Sequence, residues 1–297
     1  MVDKISIFRS YDLLIEEFVK WAEPRPDIRA AMIIGSRARQ DRPADEWADL
    51  DMVIVTTNPG QYVSTADWVK NMGNPLLTFM ESTVGGDENE RRVLYEGMLD
   101  VDFAIFPVEK MKQFQQGRLS PQMEMQIANA VGRGMRILLD KDGTLAELRR
   151  VIPSIGKSHP KPPTPSEFLG VISDFLYHTV WTAKHLLRGE LWWADTGINC
   201  RLSNLMLRMM EWHAQALHEW KYDTWFRGRF LEHWTDQLTL TELRATFTHY
   251  DEEDTKRSLI ESLSMFRRIA TETSRKLGYE YPEQADRTIT EWLQGFL

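Results

Sequence analysis

Between residues 8 and 22 apolar side chains recur at Leu13, Leu14, Phe18 and Trp21, a helical spacing that predicts one helix laid against a sheet. The texture then changes to short apolar runs at 30–34, 52–55, 76–80, 92–95, 101–106 and 136–139, which predict strands. Turn-forming or helix-like segments such as 66–72 and 108–115 separate them. Residues 1–152 therefore read as an α/β domain, a mixed sheet with flanking helices.

A proline-rich stretch follows, "VIPSIGKSHPKPPTPSEF", in which five prolines fall between 153 and 165. Helix cannot run through such a segment and extended backbone is favoured, so 153–165 predicts a linker. Ser166 or Thr164 can cap the helix that follows, with Glu167 in its first turn. Helical periodicity then recurs over 167–188, 199–220, 239–249, 254–277 and 282–296, and Gly189 and Gly278 stand at C-terminal stops. Residues 166–297 read as an all-α helical bundle. The acidic run Asp251 to Asp254 is a helix start that answers the macrodipole.

A chain of 297 residues can hold two such cores. A net charge of −8 disfavours a broad nucleic-acid surface and suits a small cationic partner. Cys200 stands alone, which excludes an intramolecular disulfide and predicts a buried free thiol. Eight of the eleven tryptophans follow residue 180, where they are expected to fill helix interfaces. No run of 18 apolar residues and no signal-peptide pattern occurs, so the expected location is cytoplasmic. The histidines lack metal-ligand spacing, and neither a Walker A motif nor G-x-G-x-x-G is present.

One stretch resists a purely structural explanation. In "IIGSRARQDRPADEWADLDMVIV" a strand breaks at Gly35-Ser36, passes through polar residues, and resumes with Asp49 and Asp51. Residues two apart on a strand point the same way, so two like charges share a face. A divalent cation would offset their repulsion, and Mg²⁺ takes carboxylate, phosphate and water oxygens. A second ion calls for a third carboxylate on a neighbouring strand. "LDVDFAIFP" supplies Asp102, set inside a core-like strand, in preference to Asp100 at its start. Gly35 lets the backbone approach a ligand closely, and the Ser36 hydroxyl with nearby N–H groups can meet phosphate oxygens. Arg37 adds positive charge beside them.

An apolar run ending Gly-Ser, a dozen residues, Asp-x-Asp in a strand and a later apolar-Asp-apolar together resemble the nucleotidyltransferase superfamily typified by DNA polymerase β. More narrowly, "GSRARQDRPADEWADLD", "VDFAIFP", "LLDKDG", "PPTPSEF", "LRMMEWH" and "LGYEYP", in order over residues 30 to 290, resemble the aminoglycoside 6-adenylyltransferases, the streptomycin-modifying enzymes. The resemblance implies that Asp49, Asp51 and Asp102 bind Mg²⁺, as two ions, and that Gly35 and Ser36 hold the ATP triphosphate. It implies AMP transfer to a hydroxyl of a cationic aminoglycoside with release of pyrophosphate, a reaction that confers antibiotic resistance. Asp174 matches the position of an acidic residue in the related enzymes, with aspartate where glutamate is more usual, and is the candidate general base.

Asp174, His178, Trp181 and His185 follow spacings of four, three and four and share a helix face. Lys184 is a candidate for the triphosphate. Glu190 and Asp195, beside Trp192 and Trp193, are candidates for the ammonium or guanidinium groups of the acceptor. Two other readings stay open at this level: a nucleotidyltransferase acting on another small-molecule, RNA or protein hydroxyl, and a nucleotide-binding sensor without turnover.

Overall fold

The computed structural model describes residues 4–39, 41–82, 89–116, 118, 120, 127, 130–155 and 160–296. The chain divides into two compact units, Met1–Ser158 and His159–Leu297.

In the first unit six strands form one sheet in the order β3-β4-β5-β2-β1-β6. They are β1 (Ile28–Ile33), β2 (Leu50–Thr56), β3 (Pro75–Ser82), β4 (Asn89–Tyr95), β5 (Leu99–Pro107) and β6 (Arg136–Asp140). Only β2 and β5 run parallel, and the other neighbours are antiparallel. The central strands are apolar on both faces because both faces are covered. On one side lies α1 (Lys4–Ala22), whose Phe18 ring sits 6.2 Å from Phe103. Its buried stripe is Tyr11, Leu14, Ile15, Phe18, Trp21 and Ala22. Leu13, expected on that stripe, is exposed, because a 3.6-residue period from Tyr11 through Phe18 leaves it on the outer flank.

On the other side α3 (Val108–Gln115) and α4 (Thr144–Ile155) cover Ala30, Met32, Val53 and Val55. Neither α4 nor the short α2 (Pro59–Ser64) is anticipated by the apolar pattern. Segment 66–72 is a 3₁₀ turn over Asp67–Asn71. Helix α4 extends to Ile155 and so enters the proline-rich segment, of which 160–164 carries neither helix nor strand.

All the regular secondary structure among the described residues of the second unit is helical. Helix α5 (Pro165–Leu187) opens with Thr164, one of the two caps the sequence offers, as N-cap in a reciprocal capping box with Glu167. The helix expected over 199–220 is instead α6 (Leu191–Thr196), a π-helical turn Gly197–Leu202 and α7 (Ser203–Leu217). That expected over 239–249 is shorter: α8 (Leu231–Trp234) and α9 (Gln237–Leu243) are followed by a 3₁₀ turn Arg244–Thr246. Helices α10 (Glu252–Leu277), N-capped by Asp251 and stopped at Gly278, and α11 (Glu283–Phe296) complete the unit. Its core gathers Phe168, Phe175, Met209 and Phe266, the last stacked on Phe175 at 3.7 Å.

Two expectations about side chains fail here. Cys200 is exposed, because the π-turn carries it outward while Ile198 and Leu202 take the buried positions. Trp192 and Trp193 are likewise exposed, so they do not fill helix interfaces as Trp234 does.

Candidate functional site

The parallel pairing of β2 and β5 sets Asp51 directly opposite Asp102. Asp49 lies immediately before β2, and one ligand oxygen from each of Asp49, Asp51 and Asp102 falls within 4.8 Å of the others. Asp102 is buried, at 7% exposure, and the other two are half-buried. Burial, opposed by Arg92 and aided by Glu90, Asp49 and Asp100, pushes the Asp102 carboxyl up to about 6.

The backbone around the triad is built to bring it together. β1 ends at Ile33, the Ile34 N–H donates to the Asp51 carbonyl at 3.0 Å, and Gly35 turns the chain with φ of +67° into the 3₁₀ turn Gly35–Ala38. A Cβ at Gly35 would stand 2.0 Å from Asp51 Oδ2. The close approach anticipated for Gly35 is thus to the Asp51 carboxylate. Ser36 is buried and its Oγ has no hydrogen-bond partner among the described residues. An all-oxygen donor set of this size suits a hard divalent cation, and the unmatched Ser36 hydroxyl suits an anionic oxygen next to it.

Arg37 is engaged within the protein. Its Nε donates to the Asp49 carbonyl at 2.9 Å and its Nη2 to the Ala48 carbonyl at 2.6 Å. The guanidinium also lies 3.7 Å over the Tyr11 ring, and the Tyr11 hydroxyl donates to Asp100 Oδ1 at 2.9 Å. Arg37 therefore fixes the backbone that delivers Asp49.

Three further charged residues join the site that sequence reasoning passed over. The register places Asp51, Asp102, Arg92 and Phe79 as successive partners across β2, β5, β4 and β3. Arg92 pairs through Nη1 with Asp102, through Nε with Glu81, and through Nη2 with Glu90 at 3.4 Å. Burial raises the Glu90 carboxyl, with Arg92 opposing and Glu81 and Asp49 adding to it. The available signal is the alternation in "NERRVLY": Glu90 and Arg92 lie two apart and must share a face.

In the helical unit Asp174 is engaged at both oxygens, by His178 Nδ1 at 2.6 Å and by Arg201 Nη2 at 2.6 Å. It lines a groove with Glu167, Asn204, Arg208 and Trp212. His178, Trp181 and His185 do share the Asp174 face, and Trp181 and His185 each contact Trp193, at 5.6 and 5.7 Å. Glu190 is occupied within the protein by His185 and by Arg188 Nη2, the latter at 2.8 Å. Asp195 accepts from Asn199 Nδ2 at 3.2 Å through Oδ2, while its buried Oδ1 has no hydrogen-bond partner among the described residues. Lys184 is exposed on α5.

The chain is similar to known proteins over nearly its whole length. The family model described as streptomycin adenylyltransferase matches residues 8–296. An aminoglycoside 6-adenylyltransferase of Bacillus subtilis (strain 168) is 22% identical over 293 residues, covering 97% of this chain and 98% of its own. One from Campylobacter jejuni is 21% identical over 277 residues, with coverages of 92% and 89%. A crystal structure of an aminoglycoside 6-adenyltransferase from Bacillus subtilis aligns over 95% of this chain and 97% of its own, at 19% identity and a TM-score of 0.44.

Proposed function

The chain belongs to the streptomycin adenylyltransferase family, and from that membership we propose that it transfers AMP from ATP to a hydroxyl of a streptomycin-like aminoglycoside, releasing pyrophosphate. The observation that carries the reading is the convergence of Asp49, Asp51 and Asp102 within 4.8 Å at the parallel strand pair. Three carboxylates so close repel one another, and a divalent cation bound among them would offset that repulsion.

In this reading the three aspartates hold Mg²⁺, in one or two ions. When bound, Mg²⁺ supplies charge neutralisation for the triphosphate and for the leaving pyrophosphate. Gly35 leaves room for the Asp51 carboxylate, Arg37 holds the Asp49 backbone, and Ser36 offers its unpaired hydroxyl to a phosphate oxygen. The acceptor hydroxyl attacks the α-phosphorus in line, and the bond to the pyrophosphate oxygen breaks. Catalysis of this type is mostly positioning and charge stabilisation.

Asp174 is the proposed proton acceptor for that hydroxyl. His178 and Arg201 orient it, and each carboxylate oxygen keeps a further lone pair for the incoming hydroxyl. Asp195, with its unmatched Oδ1 beside the exposed Trp192 and Trp193, supports recognition of a cationic group, and Lys184 remains a candidate for the triphosphate. The net charge of −8 favours a cationic small-molecule acceptor over RNA. A panel of nucleotides with Mg²⁺, and streptomycin beside unrelated aminoglycosides, read by product mass, tests the proposal. Gain of one adenylyl group on streptomycin is expected; no transfer to any aminoglycoside overturns it.

A further inference from the structure

Arg92 brings a positive charge to the aspartate triad. Of the charged groups on the site face of β4, it alone is positive, and it is the register partner of Asp102. Its guanidinium is shared among three carboxylates: Nη1 meets Asp102 Oδ2, Nε meets Glu81 Oε2, and Nη2 meets Glu90 Oε2 at 3.4 Å. Asp102 is 7% exposed, and a carboxylate so buried calls for a cationic partner. A metal ion entering the triad needs oxygens of the same residue.

The two needs conflict unless Arg92 has somewhere to go, and the structure supplies that place. Glu81 lies on the edge strand β3 with its side chain half exposed, and Glu90 lies next to it in register. The Arg92 side chain is 36% exposed and so has room to shift. If it leaves Asp102 it keeps two carboxylate partners, and no charge is stranded. A planar fork with five donors is suited to such a shared arrangement.

We propose that Arg92 is a resident stand-in for a divalent cation at Asp102, a positioning residue that pairs with the carboxylate and aims it until the ion arrives, then retires to Glu81 and Glu90. The inference rests on the metal-binding reading of the aspartate triad. It makes Arg92 a direct competitor of the metal.

The test is titration of the full chain with Mn²⁺ at pH 8 without nucleotide, following free Mn²⁺ by electron paramagnetic resonance, for the unaltered protein, Arg92→Gln and Arg92→Lys. Arg92→Gln is expected to bind about tenfold more tightly, the scale of one charge-assisted hydrogen bond. Arg92→Lys is expected to fall between, since lysine keeps the charge but cannot hold Asp102 and Glu81 together, which separates contact from field. A third variant, Glu81→Gln, removes a retreat and should weaken binding a few-fold; being on the surface it serves where an Arg92 variant fails to fold. Unchanged or weaker binding in the Arg92 variants overturns the inference alone, as does unchanged or tighter binding in Glu81→Gln. Absence of Mn²⁺ binding by the unaltered protein, with and without ATP, overturns the metal site and the inference with it.

Discussion

Gly35 and Asp51 interlock: a Cβ on the glycine would stand 2.0 Å from the aspartate's Oδ2. The site has no slack at this point, because Asp51 is fixed from behind by the hydrogen bond from the Ile34 N–H to its carbonyl. Gly35→Ala must therefore push the carboxylate aside, besides forcing alanine to φ of +67°. The left-handed backbone costs about 1–2 kcal/mol of stability. Loss of activity should be far larger, on the order of a hundredfold or more, since a displacement of about 1 Å in a catalytic group costs that much. Parallel measurement of thermal unfolding and kcat/KM checks the disproportion; an active Gly35→Ala enzyme would mean that Asp51 is not held where it appears.

A second prediction concerns pH. Glu211 on α7 is half-buried, and burial, opposed by Arg208, pushes its carboxyl from the usual 4.5 up to about 7. The folded state therefore keeps a proton between those values that the unfolded state has released. The resulting stabilisation is complete below about pH 4.5 and is lost as pH rises to about 7. Glu211→Gln should flatten that slope and leave the protein more stable than the unaltered chain at pH 8. Denaturant unfolding at pH 5.5 and 8 for both proteins reads this directly; equal slopes would contradict it.

Arg267 and Asp286 supply a third. Asp286 is 4% exposed and receives Arg267 Nε at 2.5 Å, Arg267 Nη2 at 2.8 Å and the Tyr281 hydroxyl at 3.0 Å, which fastens α11 to α10. Removing one partner strands a buried charge. Arg267→Met should cost about 3–5 kcal/mol, and Asp286→Asn in the same chain should recover part of the loss. A double-mutant cycle by denaturant unfolding gives the coupling; additive losses would show that the pair does not act as a unit.

Much of the fold and the heart of the site are legible in the sequence, for identifiable reasons. Strands β2 and β5 are apolar on both faces, so Asp51 and Asp102 stand out as the residues that violate the pattern. The capping box at Thr164 and the N-cap at Asp251 are local chemistry and can be read locally. Other features depend on tertiary context. The π-turn Gly197–Leu202 leaves no period in the apolar pattern, and it decides that Cys200 faces outward and that Arg201 reaches Asp174. Arg37 looks like a phosphate ligand because it follows Gly-Ser, yet its reach to the Ala48 and Asp49 carbonyls depends on how the intervening loop folds back. Arg92 joins Asp102 through strand pairing ten residues apart, which no local spacing announces.

The central claim, that the aspartates at 49, 51 and 102 form one cation site for nucleotidyl transfer, is tested most directly by anomalous diffraction from crystals grown with Mn²⁺ and a non-hydrolysable ATP analogue. The account predicts anomalous density within coordination distance of all three carboxylates, with the analogue's phosphates reaching the same ion and the Ser36 hydroxyl. Density that leaves Asp102 uncoordinated, or manganese bound elsewhere with the triad empty, would contradict it.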